Sequence, residues 1–262
     1  MNARNVPAEP AGSSVVAEPA SDAVDRNLRA EFTALLRGRG AEIGPLHNPS
    51  SVPAECSVVY VDKFDLERLR ELNPEVPPEQ IVAPDVVCDA LLLDALPDAE
   101  FDFLIASHVI EHVHNPLKAL LAWRRVLRPG GLALCIVPDG RYTFDAGRPL
   151  TSFEHLLWDY ENDGRRLKRL SDLFHIAECN LNLHEDLTPD TAVDLARTIL
   201  ETSYDTHFHV WSYASFTNHL RRLIDENGLP FKIVKSACDG RLEMLFLLEA
   251  VENGASFRAS PS

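Results

Sequence analysis

Residues 101–139 read FDFLIASHVIEHVHNPLKALLAWRRVLRPGGLALCIVPD, and the order of signals within them decides the fold. The apolar run from Phe101 to Ala106 ends at a polar pair, Ser107-His108. Asn115-Pro116 then opens a helix, because Asn caps orphan N–H groups and Pro at the first helical position lacks only an N–H that would go unused. Leu117, Leu120, Leu121 and Leu127 fall close to one face at helical spacing. Pro129-Gly130-Gly131 stops the helix, and Leu132 to Val137 forms a second apolar run. Strand, helix, strand in that space is a βαβ unit. The sheet is therefore parallel, and ligands of such sheets bind beyond the strand C-terminal ends, where Ser107-His108 and Pro138-Asp139 fall.

Working outward, three more strand-like runs precede this unit. The first ends at Glu42-Ile43-Gly44, the second is Val58 to Asp62, and the third is Val86-Val87-Cys88-Asp89-Ala90. Three prolines and no helical period separate Gly44 from Val58, so the first crossover is read as a loop. Val24, Leu28, Phe32, Leu35 and Leu36 mark an amphipathic helix over 23–37 in front of these strands. After them, Phe216 to Ile224 reads as a helix closing near Gly228. Phe231 to Ala237 and Met244 to Val251, joined by Cys238-Asp239-Gly240, read as a terminal hairpin.

The segment 101–139 resembles the fourth and fifth strand region of class I S-adenosylmethionine (SAM) dependent methyltransferases, including the turn RVLRPGG at 125–131. The stretch 42–49, EIGPLHNP, is similar to a subgroup of them. That resemblance implies an α/β, Rossmann-like fold: a seven-stranded, mostly parallel sheet with an antiparallel last strand and a helical insertion after the fifth strand. It implies transfer of a methyl group from SAM. Glu42 and Gly44 are expected at the methionine end of the cofactor, with Asn48 a further contact. Asp62 stands 18 residues past Gly44, close to the ~20 of the dinucleotide fingerprint, and is expected to accept hydrogen bonds from the ribose hydroxyls. Asp89, followed by Ala90, is expected at the adenine, and Ser107 and His108 at the edge of the pocket. Competing readings make Asp62 the N-cap of a helix over 66–72 and Asp89 a turn residue.

Methyl transfer from a sulfonium leaves the protein to position the acceptor and remove its proton, and histidine titrates nearest neutrality. His108, His112, His155 and His207 are the candidates. His108-Val109-Ile110-Glu111-His112 also matches H-x-x-E-H, with its two histidines at i and i+4. A metal-dependent hydrolase is the alternative this motif raises, and a SAM-binding protein that catalyses a different reaction, or none, is another. Some methyltransferases carry E-x-x-E-H at this point and bind a divalent cation. The resemblance thus makes His108, Glu111 and His112 candidate metal ligands, with His108 replacing the first Glu. Two clusters, RYTFDAGRPLT at 141–151 followed by His155, and DTHFHVW at 205–211, are similar to stretches in a bacterial branch of the family. Their density of polar and aromatic groups marks a site, or else a lid held by links such as Arg141 to Asp145.

Composition narrows the partner. With 25 Lys+Arg against 40 Asp+Glu the formal charge is −15, which repels phosphate backbones and argues against a nucleic-acid substrate. A small polar acceptor, a sugar or secondary metabolite methylated on O or N, is the expectation. The five cysteines show no CxxC pairing, and Cys88 and Cys135 fall in predicted strands as small buried hydrophobes, which together point to a reducing cytoplasm. No run is long and apolar enough to span a membrane, and no signal-peptide core stands at the start. Residues 1–21, rich in Ala, Pro, Glu and Ser, read as a disordered tail. Residues 22–262 read as one domain, with 140–215 a substrate-covering insertion.

Overall fold

A computed structural model describes residues 27–184, 186–202, 206–252 and 257–258. The expected tail and the start of the helix expected over 23–37 lie outside the described residues, as does Asp205. The described residues form one seven-stranded sheet in the order β3-β2-β1-β4-β5-β7-β6. Its strands are β1 Arg39–Ile43, β2 Ser57–Asp62, β3 Val86–Val87, β4 Phe101–Ser107, β5 Leu127–Pro138, β6 Phe231–Cys238 and β7 Glu243–Ala250. The first five pair in parallel, and β7 runs antiparallel to both β5 and β6, as the sequence led us to expect.

The two faces follow from the period of two along each strand. Phe103, Ile105, Leu134, Ile136, Leu245 and Leu247 point one way, onto Phe32 and Leu36 at and just beyond helix α1 Leu28–Thr33. Leu104, Ala106, Ala133, Cys135, Val137, Phe246 and Leu248 point the other way into the main core. There they meet α3 Pro116–Val126, α4 Phe153–Glu161 and α7 Tyr213–Asp225. Helices α5 Arg166–Leu183 and α6 Pro189–Thr202 pack on each other around Ile176, Ala177, Ala192, Ala196 and Ile199.

Local chemistry sets the boundaries. Asn115 caps α3, its side chain accepting from the Lys118 N–H at 3.1 Å with Pro116 next in line. The helix ends at Val126, short of the Pro129-Gly130-Gly131 stop. Leu127 instead pairs with Phe101 and is fully buried, so it belongs to β5 and not to the helical stripe. Trp123 and Ala119 fill the buried face with Leu117 and Leu120. Strand β3 is also shorter than expected. After the Cys88 N–H donates to the Asp62 carbonyl at 2.9 Å, the Asp89 carboxylate accepts from the Leu91 N–H at 2.8 Å and turns the chain away. Helix α2, Leu66–Leu72, is capped by Asp65, whose carboxylate accepts from the Arg68 N–H at 2.9 Å, so Asp62 is not its cap.

Candidate active site at the strand ends

Strand order reverses between β1 and β4, which is where open α/β sheets bind their ligands. Ile43 faces Val61 on one side and Ala106 on the other, so Gly44, Asp62 and Ser107 are the next residues out on three adjacent strands. Gly44 takes φ +62°, in the left-handed region that favours glycine, while its N–H donates to the Val61 carbonyl at 2.8 Å. A Cβ there would meet nothing of the protein closer than Val109 at 3.7 Å, so backbone conformation, not crowding by the protein, calls for glycine. Asn48 lies exposed in the loop that follows, and Ala90 offers its carbonyl to the Trp123 indole N–H at 2.9 Å.

Glu42, expected at the methionine end of the cofactor, lies near the end of β1. It is 1% exposed, and both its oxygens accept from the Ser50 N–H, at 2.9 and 3.1 Å. Burial raises its pKa, against the pull of the Ser50 hydrogen bond and Arg29. Its carboxylate shapes the 44–50 loop from below. Asp89 likewise makes its turn, with Lys63 Nζ 3.7 Å from its second oxygen.

The four histidine candidates fall into three groups. His108 sits at φ +53°, where β4 gives way, its N–H donating to the Ile136 carbonyl at 2.8 Å. Its Nε2 lies 3.0 Å from Glu243 on β7. Arg29 of α1 reaches the same carboxylate at 2.8 Å and the Ser107 hydroxyl at 3.0 Å. Burial would raise the Glu243 pKa, but the His108 and Arg29 hydrogen bonds and the Arg29 charge outweigh it and hold it at about 2.

His112 and His207 form the second group, with Glu111 beside them. The 110–112 stretch is a 3₁₀ turn, not an α-helix, so the i, i+4 face assumed for H-x-x-E-H is not formed. Ligand atoms of Glu111, His112 and His207 lie within 4.8 Å of one another, whereas His108 turns to Glu243 and stays 3.7 Å from Glu111. His207 joins Glu111 and His112 in this group, while His108 Nε2 is taken up by Glu243. Glu111 is 1% exposed, and neither of its oxygens makes a hydrogen bond among the described residues. His112 Nδ1 meets the Thr206 carbonyl at 3.0 Å, and His207 Nδ1 meets Asp145 at 2.6 Å. Burial works against the Asp145 charge, yet His207 and Arg148 hold its pKa down. Asp145 thus pairs with Arg148 and not with Arg141, which instead bonds Asp139 at 2.8 Å.

His155 is in the third group. It sits on α4 one turn before Asp159, its Nε2 3.2 Å from that carboxylate, with His209 Nε2 3.6 Å from the same oxygen. The link between the last two groups is the extended stretch 206–212. Its Phe208 N–H donates to the Glu111 carbonyl at 2.8 Å and its Trp211 carbonyl accepts from Gly140 at 2.9 Å. Gly140 must be small, because a Cβ would lie 2.3 Å from Val210 Cγ1. Sequence reasoning missed Arg29, Glu243, Asp159 and His209. Only the last two carried a signal: His155 and Asp159 at i, i+4, and His209 two places after His207.

Residues 38–135 match the family described as methyltransferase domain, a segment running from the start of β1 into β5 and carrying Gly44, Asp62, Asp89 and Ser107. The chain is similar to a SAM-dependent methyltransferase from Aquifex aeolicus, at 12% identity over 84% of this chain and 87% of that one, with TM-score 0.44. It is also similar to a SAM-dependent methyltransferase from Methanosarcina mazei, at 17% identity over 81% of this chain and 92% of the other, with TM-score 0.40. No curated protein matches the sequence. The match thus covers the segment that builds β1 to β5, and it supports a SAM-dependent methyltransferase on a sheet of this order.

Proposed function

We propose that the enzyme methylates an oxygen or nitrogen of a small polar acceptor, a sugar or secondary metabolite, held between the strand ends and the 140–212 segment. The alignment of Gly44, Asp62 and Ser107 across the switch point supports this reading most directly. A carboxylate half-exposed at the end of β2 suits a vicinal diol, and the glycine leaves backbone open to a ligand. SAM, when bound, supplies an already activated methyl group. Gly44, Asn48, Asp62, Asp89, Ala90, Ser107 and His108 hold it on this reading, and Glu42 keeps their loop in shape.

His108 is the proposed base. A carboxylate partner on one ring nitrogen orients the imidazole, the logic of an oriented base in acyl transfer. Glu243 and Arg29 are then positioning residues. The acidic surface, with a charge of −15, disfavours nucleic acid as the acceptor. The free cysteines, with the Cys135 thiol pushed up to about 12 by burial, suit a reducing compartment such as the cytoplasm.

One observation favours a second reading, in which a divalent cation at Glu111, His112 and His207 holds the acceptor oxygen. The buried Glu111 carboxylate lacks hydrogen bonds, and Asp145 fixes His207 as an outer carboxylate does at metal sites. Conversion of SAM to S-adenosylhomocysteine across a panel of sugars and hydroxylated metabolites tests the first reading. Activity surviving exhaustive chelation overturns the second and leaves the first standing.

A further inference from the structure

A second group of ligand-type side chains lies apart from the strand-end residues. Helix α4 sets His155 and Asp159 one turn apart on a single face. The 206–212 stretch lays His209 beside them, and α5 brings His175, whose ring centroid is 4.7 Å from that of His155. Asp159 Oδ2 stands 3.2 Å from His155 Nε2 and 3.6 Å from His209 Nε2. Atoms bound to one tetrahedral zinc at ~2.0–2.1 Å are themselves about 3.3 Å apart, so these separations bracket the value for ligands of a shared ion.

The burial is what makes the arrangement informative. Asp159 is 0% and His209 1% exposed. Both Asp159 oxygens, both His209 nitrogens and His155 Nε2 make no hydrogen bond among the described residues. Buried polar atoms are ordinarily satisfied, so one unsatisfied ligand atom from each of three residues, all within 4.8 Å of one another, calls for a partner. Lys168 Nζ is 3.1 Å from Asp159 Oδ1 and is also held by Asp172, so it compensates one side of the carboxylate and leaves Oδ2 to the imidazoles. A proton shared between His155 and Asp159 would account for one contact and leave His209 unsatisfied.

We propose that His155, Asp159 and His209 bind a divalent cation of the zinc class, with His175 at its edge. Two imidazoles and a carboxylate suit zinc, or iron and nickel, over the oxygen-seeking magnesium and calcium. The ion ties α4 to the 206–212 stretch. Because His207 lies two residues from His209, it also sets the wall that faces the acceptor. The role is separate from the cation considered at Glu111.

The test uses the full-length protein, stripped with chelator and titrated with Zn(II) or Co(II). Metal content is read by mass spectrometry, and geometry by the Co(II) visible bands and by zinc X-ray absorption. The expected result is a zinc shell of two imidazole nitrogens and carboxylate oxygen in the unmodified protein. One equivalent of metal should be lost in His209→Ala and in Asp159→Asn and retained in Glu111→Gln. Where burial of Asp159 prevents folding of Asp159→Asn, His155→Ala, at a more open position, replaces it. No binding by the stripped wild type, unchanged stoichiometry in His155→Ala and His209→Ala, or loss only in Glu111→Gln would each overturn the proposal.

Discussion

Two side chains carry the account at the scale of single residues. Asp62 was legible because an acid closing a strand at a fixed distance from a glycine is a pattern written in one dimension. On the proposed reading Asp62→Ala removes two charge-assisted hydrogen bonds worth about 1.5–3 kcal/mol each, so affinity for S-adenosylhomocysteine should fall at least tenfold by calorimetry. An unchanged affinity in a folded variant would remove Asp62 from the cofactor site. His108 was legible as a strand-end histidine, but its partner Glu243, 135 positions later, and Arg29, which bonds that carboxylate from 79 positions before His108, were not. For His108→Ala we expect cofactor affinity within several-fold of wild type and turnover lowered by about 10²–10⁴, as for a lost general base. Full activity would end that assignment. The Glu243 carboxylate titrates near 2 in the fold, below its ordinary 4.5. Its contribution to stability is therefore complete above pH 4.5 and is lost as the pH falls from there toward 2. Urea unfolding of Glu243→Gln should show a flatter acid limb than wild type, and equal limbs would contradict the pairing.

Among the elements, β4, α3 and β5 were plain from period and punctuation, because each is long enough to show its pattern. Strand β3 was overestimated. Val86 to Ala90 looks like one apolar run, yet only Val86–Val87 pairs, since the Asp89 turn competes for the backbone. The H-x-x-E-H motif misled in a related way. A helical spacing was read onto residues that form a 3₁₀ turn, and His207 joins Glu111 and His112 from far along the chain. That contact depends on the 206–212 stretch docking against Gly140, a tertiary event with no local sequence period. Gly140→Val should therefore destabilise by roughly 1–3 kcal/mol, the cost of overpacking, and should lower activity by displacing His207. Wild-type stability in that variant would show that the stretch is free to move away.

For the molecule as a whole, sheet order and charge decide what the surface meets. No helix among the described residues is long and apolar enough to cross a membrane. The formal charge of −15 predicts that fluorescence anisotropy will detect no association with labelled single- or double-stranded RNA at ~0.15 M salt, and salt-dependent binding would reverse that view. The central claim is that the cofactor lies over the β1/β4 crossing. Diffraction from crystals grown with saturating S-adenosylhomocysteine tests it most directly. The account predicts homocysteine density beside Gly44 and Ser107, with the ribose hydroxyls on Asp62. Density elsewhere, or an empty crossing at saturation, would contradict it.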